Sequence, residues 1–106
     1  MSVMDPFTYK LDAEHRVVPA KNDDAWFDWC SDIANRRVAL TEISADLEVV
    51  TSFLGLDLSF GQQDPPVVFE TLVCGGKYDG FNLRASSWDE AQLAHQAVLN
   101  VLQRLA

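Results

Sequence analysis

Three aspartates, Asp24, Asp28 and Asp32, recur at every fourth residue. On a helix that spacing sets their carboxylates in one row, about 6 Å apart along the axis. Like charges at i and i+4 cost a few tenths of a kcal/mol per pair, and a chain shaped by stability alone would more often place a lysine in the row. None is there. What such a row can do is meet a basic surface, and a groove built to hold nucleic acid would attract it electrostatically. Glu42, Asp46 and Glu48, in the hairpin that follows, extend the expected patch. A solvated helix face is the plain alternative.

Other residues offer less. Glu70 lies among Phe69 and Leu72 on a strand-like run, where Arg84 on the next run can pair with it and fix register; a general base tuned by burial is the rival reading. His95 falls at the border of a helical apolar stripe, as a hydrogen-bonded histidine or, less simply, a catalytic base. His15 sits in a polar turn and is expected in solvent. Cys74 precedes Gly75-Gly76 with no histidine or lysine close in sequence to depress its pKa, and those glycines suit a turn with positive φ. Nucleophile-elbow, phosphate-loop and zinc-spacing motifs are all missing. The sequence therefore implies no cofactor and no metal, and it favours a binding protein over an enzyme.

Charge bounds the partner. Sixteen Asp/Glu against eight Lys/Arg leave a net charge of −8. That field opposes direct binding to nucleic acid or anionic lipid and favours a basic protein partner. No apolar run approaches the roughly 20 residues of a membrane span, and the N-terminus lacks the basic and apolar regions of a secretory signal. Cys30 and Cys74 form no CxxC and read as free thiols. The expectation is one cytoplasmic domain over residues 1–106.

These residues need elements to hold them. Strand-like runs cover Arg37–Ile43, Leu47–Leu54, Val67–Cys74 and Phe81–Ser86, with two short, doubtful ones near the N-terminus. Asn22-Asp23-Asp24 opens a helix to about Asn35, with Trp26, Trp29, Cys30 and Ile33 as its buried stripe. Ser87-Trp88-Asp89-Glu90 is a capping box for a helix reaching Leu105, with Ala91, Ala94, Val98, Val101, Leu102 and Leu105 in its stripe. Trp26, Trp29, Phe53, Phe69, Val98 and Leu102 are expected to share a core. The Gly55–Pro66 loop is long enough to be functional, with Leu56, Leu58 and Phe60 as its expected anchors. The sum is an α+β fold, an antiparallel sheet of about four to five strands packed by two helices.

Three segments, Val49–Phe60, Pro65–Gly76 and Ser87–His95, also follow the patterns VxTxFLGxDxxF, PPxxFETxxxGG and SWxEAxxxH. In these the chain resembles a family of small proteins encoded by bacteriophages and prophages. Cys74 departs from the aromatic often found there. The resemblance implies phage origin rather than a defined activity. By analogy of class it suggests an inhibitor of a host defence complex of the anti-CRISPR type, with a phage housekeeping or morphogenesis protein as the alternative.

Overall fold

The computed structural model describes residues 7–105; most of the N-terminal stretch read for a targeting signal lies outside them. The order is β1 (Tyr9–Leu11), β2 (Val17–Pro19), α1 (Asp23–Ser31), α2 (Ile33–Arg36), β3 (Arg37–Ser44), β4 (Leu47–Phe53), β5 (Phe69–Cys74), β6 (Asn82–Ala85) and α3 (Trp88–Leu105). The fold is α+β: β3-β4-β5-β6 form an antiparallel meander, and β1 and β2 a separate two-stranded ribbon. Pro19, which has no N–H for a ladder, ends the ribbon rather than entering the main sheet.

Period-two patterning decides the faces. Val49, Thr51 and Phe53 of β4 and Phe69, Thr71 and Val73 of β5 are all buried, and their alternates are half-exposed. The inward face is covered by α3, which crosses all four strands. Ser87 caps α3 as its box predicts, accepting the Glu90 N–H at 3.1 Å. Around Phe53, Phe69, Val68, Leu11 and Ala91 the ribbon, Trp29 and Trp88 close one end; Val49, Val73 and Val98, with Leu99 and Leu102, fill the other.

The expected single core is divided, with Trp29, Phe53 and Phe69 in the first cluster and Val98 and Leu102 in the second, and it loses one member. Trp26 belongs to neither cluster; it lies over Gly55 and donates its indole N–H to the Gly55 carbonyl at 3.1 Å. Gly55 sits at φ 78°, and a Cβ there would come within 2.9 Å of that indole nitrogen, so only glycine allows the contact. The long first helix is also corrected. It stops at Ser31, and Asp32 turns extended to cap a short α2, accepting the Ala34 N–H at 3.0 Å. Serine and aspartate side chains compete for backbone groups in this way. Ile33, expected inside, is 60% exposed as a result.

Candidate protein-binding surface

The chemistry-bearing residues sort by sheet face. His95 projects from α3 into the inward face. Its Nδ1 lies 2.8 Å from Thr51 Oγ1 and its Nε2 2.9 Å from Thr41 Oγ1, while Thr51 and Thr71 hydroxyls meet at 2.6 Å. Two adjacent strands thus each supply a threonine to one buried histidine, a third backs Thr51 with Thr71, and both ring nitrogens are satisfied. Glu70 points the opposite way, beside its cross-strand neighbour Arg84, with Nε 4.0 Å from Oε2. The sheet separates Glu70 from His95, so the two share no site.

Burial holds the His95 pKa below its ordinary 6.5. The groups bonded to it are the Thr41 and Thr51 hydroxyls of β3 and β4, and among the described residues no carboxylate is hydrogen-bonded to the ring. The folded pKa lies below the unfolded one, so the contribution is complete above pH 6.5 and declines as pH falls below it. Urea melts should show this slope in the native chain and not in His95→Gln. A His95→Gln variant retaining the full slope below pH 6.5 would remove His95 as its source.

The expected acidic patch divides in two. Asp24 and Asp28 lie on α1, and Asp32 leaves their row to cap α2. Helix α1 packs near Phe53 through Trp29, whereas Glu42, Asp46 and Glu48 lie around the β3–β4 turn at the Leu47 end of β4. Six residue steps of strand separate those ends, about 20 Å. The hairpin acids therefore do not extend the helix row.

The hairpin acids have a geometry of their own. Glu42 and Glu48 are direct cross-strand partners on the outward face. Like charges so placed destabilise a strand pair. Among the described residues no lysine, arginine or histidine pairs with Glu42, Asp46 or Glu48, and residues 38–76 contain no Lys or Arg. The three line an open depression of about 400 Å³ with Ser44, Cys74 and Gly75. Its floor is tight: Gly75 stands at φ 96°, and a Cβ there would fall on the Asp46 carbonyl. Burial, and then the charges of Glu48 and Asp79, push the Cys74 thiol up, which makes it a poor nucleophile. One level along the same face, Leu40, Val50 and Leu72 align across three strands as a partly exposed apolar row.

Elsewhere the expectations vary in outcome. His15 is exposed but stacks flat on Trp88, with centroids 3.8 Å apart and planes at 6°. Both cysteines are free. Among the described residues no cluster of His, Cys, Asp and Glu could hold a metal, and no helix is long and apolar enough to cross a membrane. Leu56 and Phe60 do not anchor the Gly55–Pro66 loop; they are 42% and 73% exposed. Its anchor is Asp57, buried and accepting from the Ser59, Gly61 and Val67 N–H groups and the Ser59 hydroxyl. The Asp-x-Ser spacing was the available signal. The molecule is thus a small α+β domain with one sheet face under a helix and an outward face carrying an acidic end and an apolar row. No family model, curated protein or solved structure matches the chain.

Proposed function

We propose that this chain is a non-enzymatic binding protein that sets the Glu42, Asp46 and Glu48 end of its sheet against a basic protein surface. The observation that carries the reading is Glu42 directly opposite Glu48 with, among the described residues, no cation for either. Such a pair opposes hairpin formation in isolation, and a basic partner reverses the sign. The neighbouring row of Leu40, Val50 and Leu72 supplies apolar area at the same contact. A partner groove made for nucleic acid has the required charge, and occupying it inhibits. Together with the phage resemblance, this supports an inhibitor of a host defence complex, of the anti-CRISPR class, acting in the host cell. Asp24, Asp28 and Asp32 are a second acidic surface, on a different end of the sheet.

The test pairs stability with binding. Glu42→Lys should stabilise the fold by about 0.5 kcal/mol, because it replaces a like-charge pair by an opposite one. The triple reversal of Glu42, Asp46 and Glu48 to lysine should remove the basic host complex captured by the native chain, identified by mass spectrometry. Capture by the native chain should weaken as salt rises, since exposed charges are screened over about 8–10 Å. Reversal of Asp24, Asp28 and Asp32 is the matched control. Undiminished capture by the hairpin variant, with loss in the helix variant, would return the site to the first helix.

A further inference from the structure

The two edges of the main sheet are finished differently. Pairing of β3 with β4 slips between Arg37 and Ala39 and again between Glu42 and Ser44, and irregularities of this kind blunt an edge. The β6 edge has no such device. Its register with β5 runs unbroken from Phe69↔Ala85 to Leu72↔Asn82, it contains no proline, and no described segment pairs with its outer side. An edge of this sort offers backbone N–H and C=O groups to an added strand.

Beside that edge lies an apolar groove of about 370 Å³, between β6 and the C-terminal half of α3, lined by Tyr78, Phe81, Leu83, Val98, Val101 and Leu105. Val101 and Leu105, expected in the buried stripe of the last helix, are instead 42% and 56% exposed, and Phe81 is 51% exposed. The helix buries Ala91, His95 and Val98, which rotates Val101 and Leu105 to the groove. The charge here runs against the rest of the chain. After Glu90 the helix carries no carboxylate, and Arg104 adjoins the groove residue Leu105. Lys77 sits 5.7 Å from the Tyr78 ring centroid. The neighbouring Asp79 is engaged by the Gly75 N–H at 2.7 Å.

We infer that the β6 edge and this groove form a strand-addition site for an extended, acidic segment of another protein. Main-chain hydrogen bonds go to β6, side chains at alternate positions enter the groove, and a carboxylate on the segment meets Lys77 and Arg104. A second copy of the chain fits less well. Symmetric pairing offers only β6 itself, four residues long, whose Leu83 already lines its own groove, and it adds a further charge of −8. The site is independent of the acidic sheet end, which lies on the outward face.

The experiment uses the full chain, labelled with nitrogen-15, and three acetylated octapeptides. One alternates valine and threonine and ends in two glutamates; the second ends in two lysines; the third is the first with every backbone amide N-methylated. The glutamate peptide should bind, raise exchange protection of the Asn82 and Arg84 amides, which face away from β5, at least tenfold, and move the signals of Val101 and Leu105. The lysine peptide should bind at least threefold more weakly and the methylated one at least tenfold more weakly. Val101→Asp, at an exposed position, should weaken binding at least tenfold while the spectrum of the free protein otherwise stays the same. Failure of the glutamate peptide to bind overturns the proposal, as does equal binding of the methylated form or a response confined to Leu40, Val50 and Leu72. Protection of the outward-facing Asn82 and Arg84 amides without peptide also overturns it: in a dimer it assigns the edge to a second copy, and in a monomer to the chain's own terminus.

Discussion

Phe69→Ala should destabilise the fold by about 3–5 kcal/mol, the usual cost of emptying a buried aromatic site. Phe69 is fully buried on β5. Its ring meets Phe53 edge-on at 5.2 Å and Trp88 at 6.5 Å between centroids, and Phe53 in turn meets Trp29 at 5.5 Å. One ring therefore joins the sheet to α3 and, through Phe53, to α1. Leu11 and Ala91 around it belong to β1 and α3, and Val68 beside it is held by bonds to Leu54 and Ala85, so the site cannot collapse to fill the void. Urea denaturation is the measurement, with Leu93→Ala as comparison. Leu93 is 71% exposed, and its truncation should stay within about 0.5 kcal/mol. Equal midpoint shifts for the two variants would place Phe69 outside the core.

What the sequence reveals is the local part of this design. Alternation along Leu47–Phe53 and Phe69–Cys74 sorts each strand into two faces, and the structure decides which is inward: Val49, Thr51, Phe53, Phe69, Thr71 and Val73 are buried. The S-x-x-E box places the start of α3. Less legible is anything set by competition or by register. The apolar period through Trp26, Trp29 and Ile33 continues past Asp32, so periodicity gives no sign of the break; the sign is a Ser-Asp pair able to bond its own backbone. His95 reads as a border residue because it is polar, yet it falls between Ala91 and Val98 on the buried stripe. Its partners Thr41 and Thr51, and Thr71 behind Thr51, read in sequence only as threonines on three strands, and their convergence needs the pairings Thr41↔Val49 and Thr51↔Thr71. The candidate surface follows the same rule. Six acidic residues can be named from the sequence, but that Glu42 faces Glu48, and that neither adjoins Asp24, depends on register and on which end of β4 the first helix meets.

Asp57→Ala should cost the fold about 3–5 kcal/mol, an effect as large as losing a core aromatic, although it removes a charge from an acidic protein. Asp57 is 3% exposed. Its Oδ1 accepts from the Ser59 N–H at 2.9 Å, the Ser59 hydroxyl at 2.7 Å and the Val67 N–H at 3.1 Å, and its Oδ2 from the Gly61 N–H at 2.9 Å. The backbone around it is tied to other segments: the Asp57 N–H donates to the Phe7 carbonyl and the Leu58 N–H to Val67. Removing the side chain strips three backbone donors, and the one on buried Val67 has least access to water. Bonds to a charged acceptor contribute about 1.5–3 kcal/mol each, and a donor left buried and bare costs about 1–3 kcal/mol. Asp57→Asn should cost less, about 2 kcal/mol, because the amide keeps one acceptor oxygen but turns an NH₂ toward one of the donors. Burial alone would raise the Asp57 pKa; the bonds from Ser59, Gly61 and Val67 outweigh it and hold the carboxyl at about 2, below its ordinary 3.8. The unfolded chain therefore binds the extra proton between those values, and stability from Asp57 is complete above the upper one and lost as pH falls to the lower. Acid titrations of stability should show this loss in the native chain and not in Asp57→Asn, well separated from the His95 slope below pH 6.5. If the asparagine variant loses stability over the same acid range by the same amount, other carboxylates carry the acid transition, and Asp57 holds the loop by shape rather than by charge.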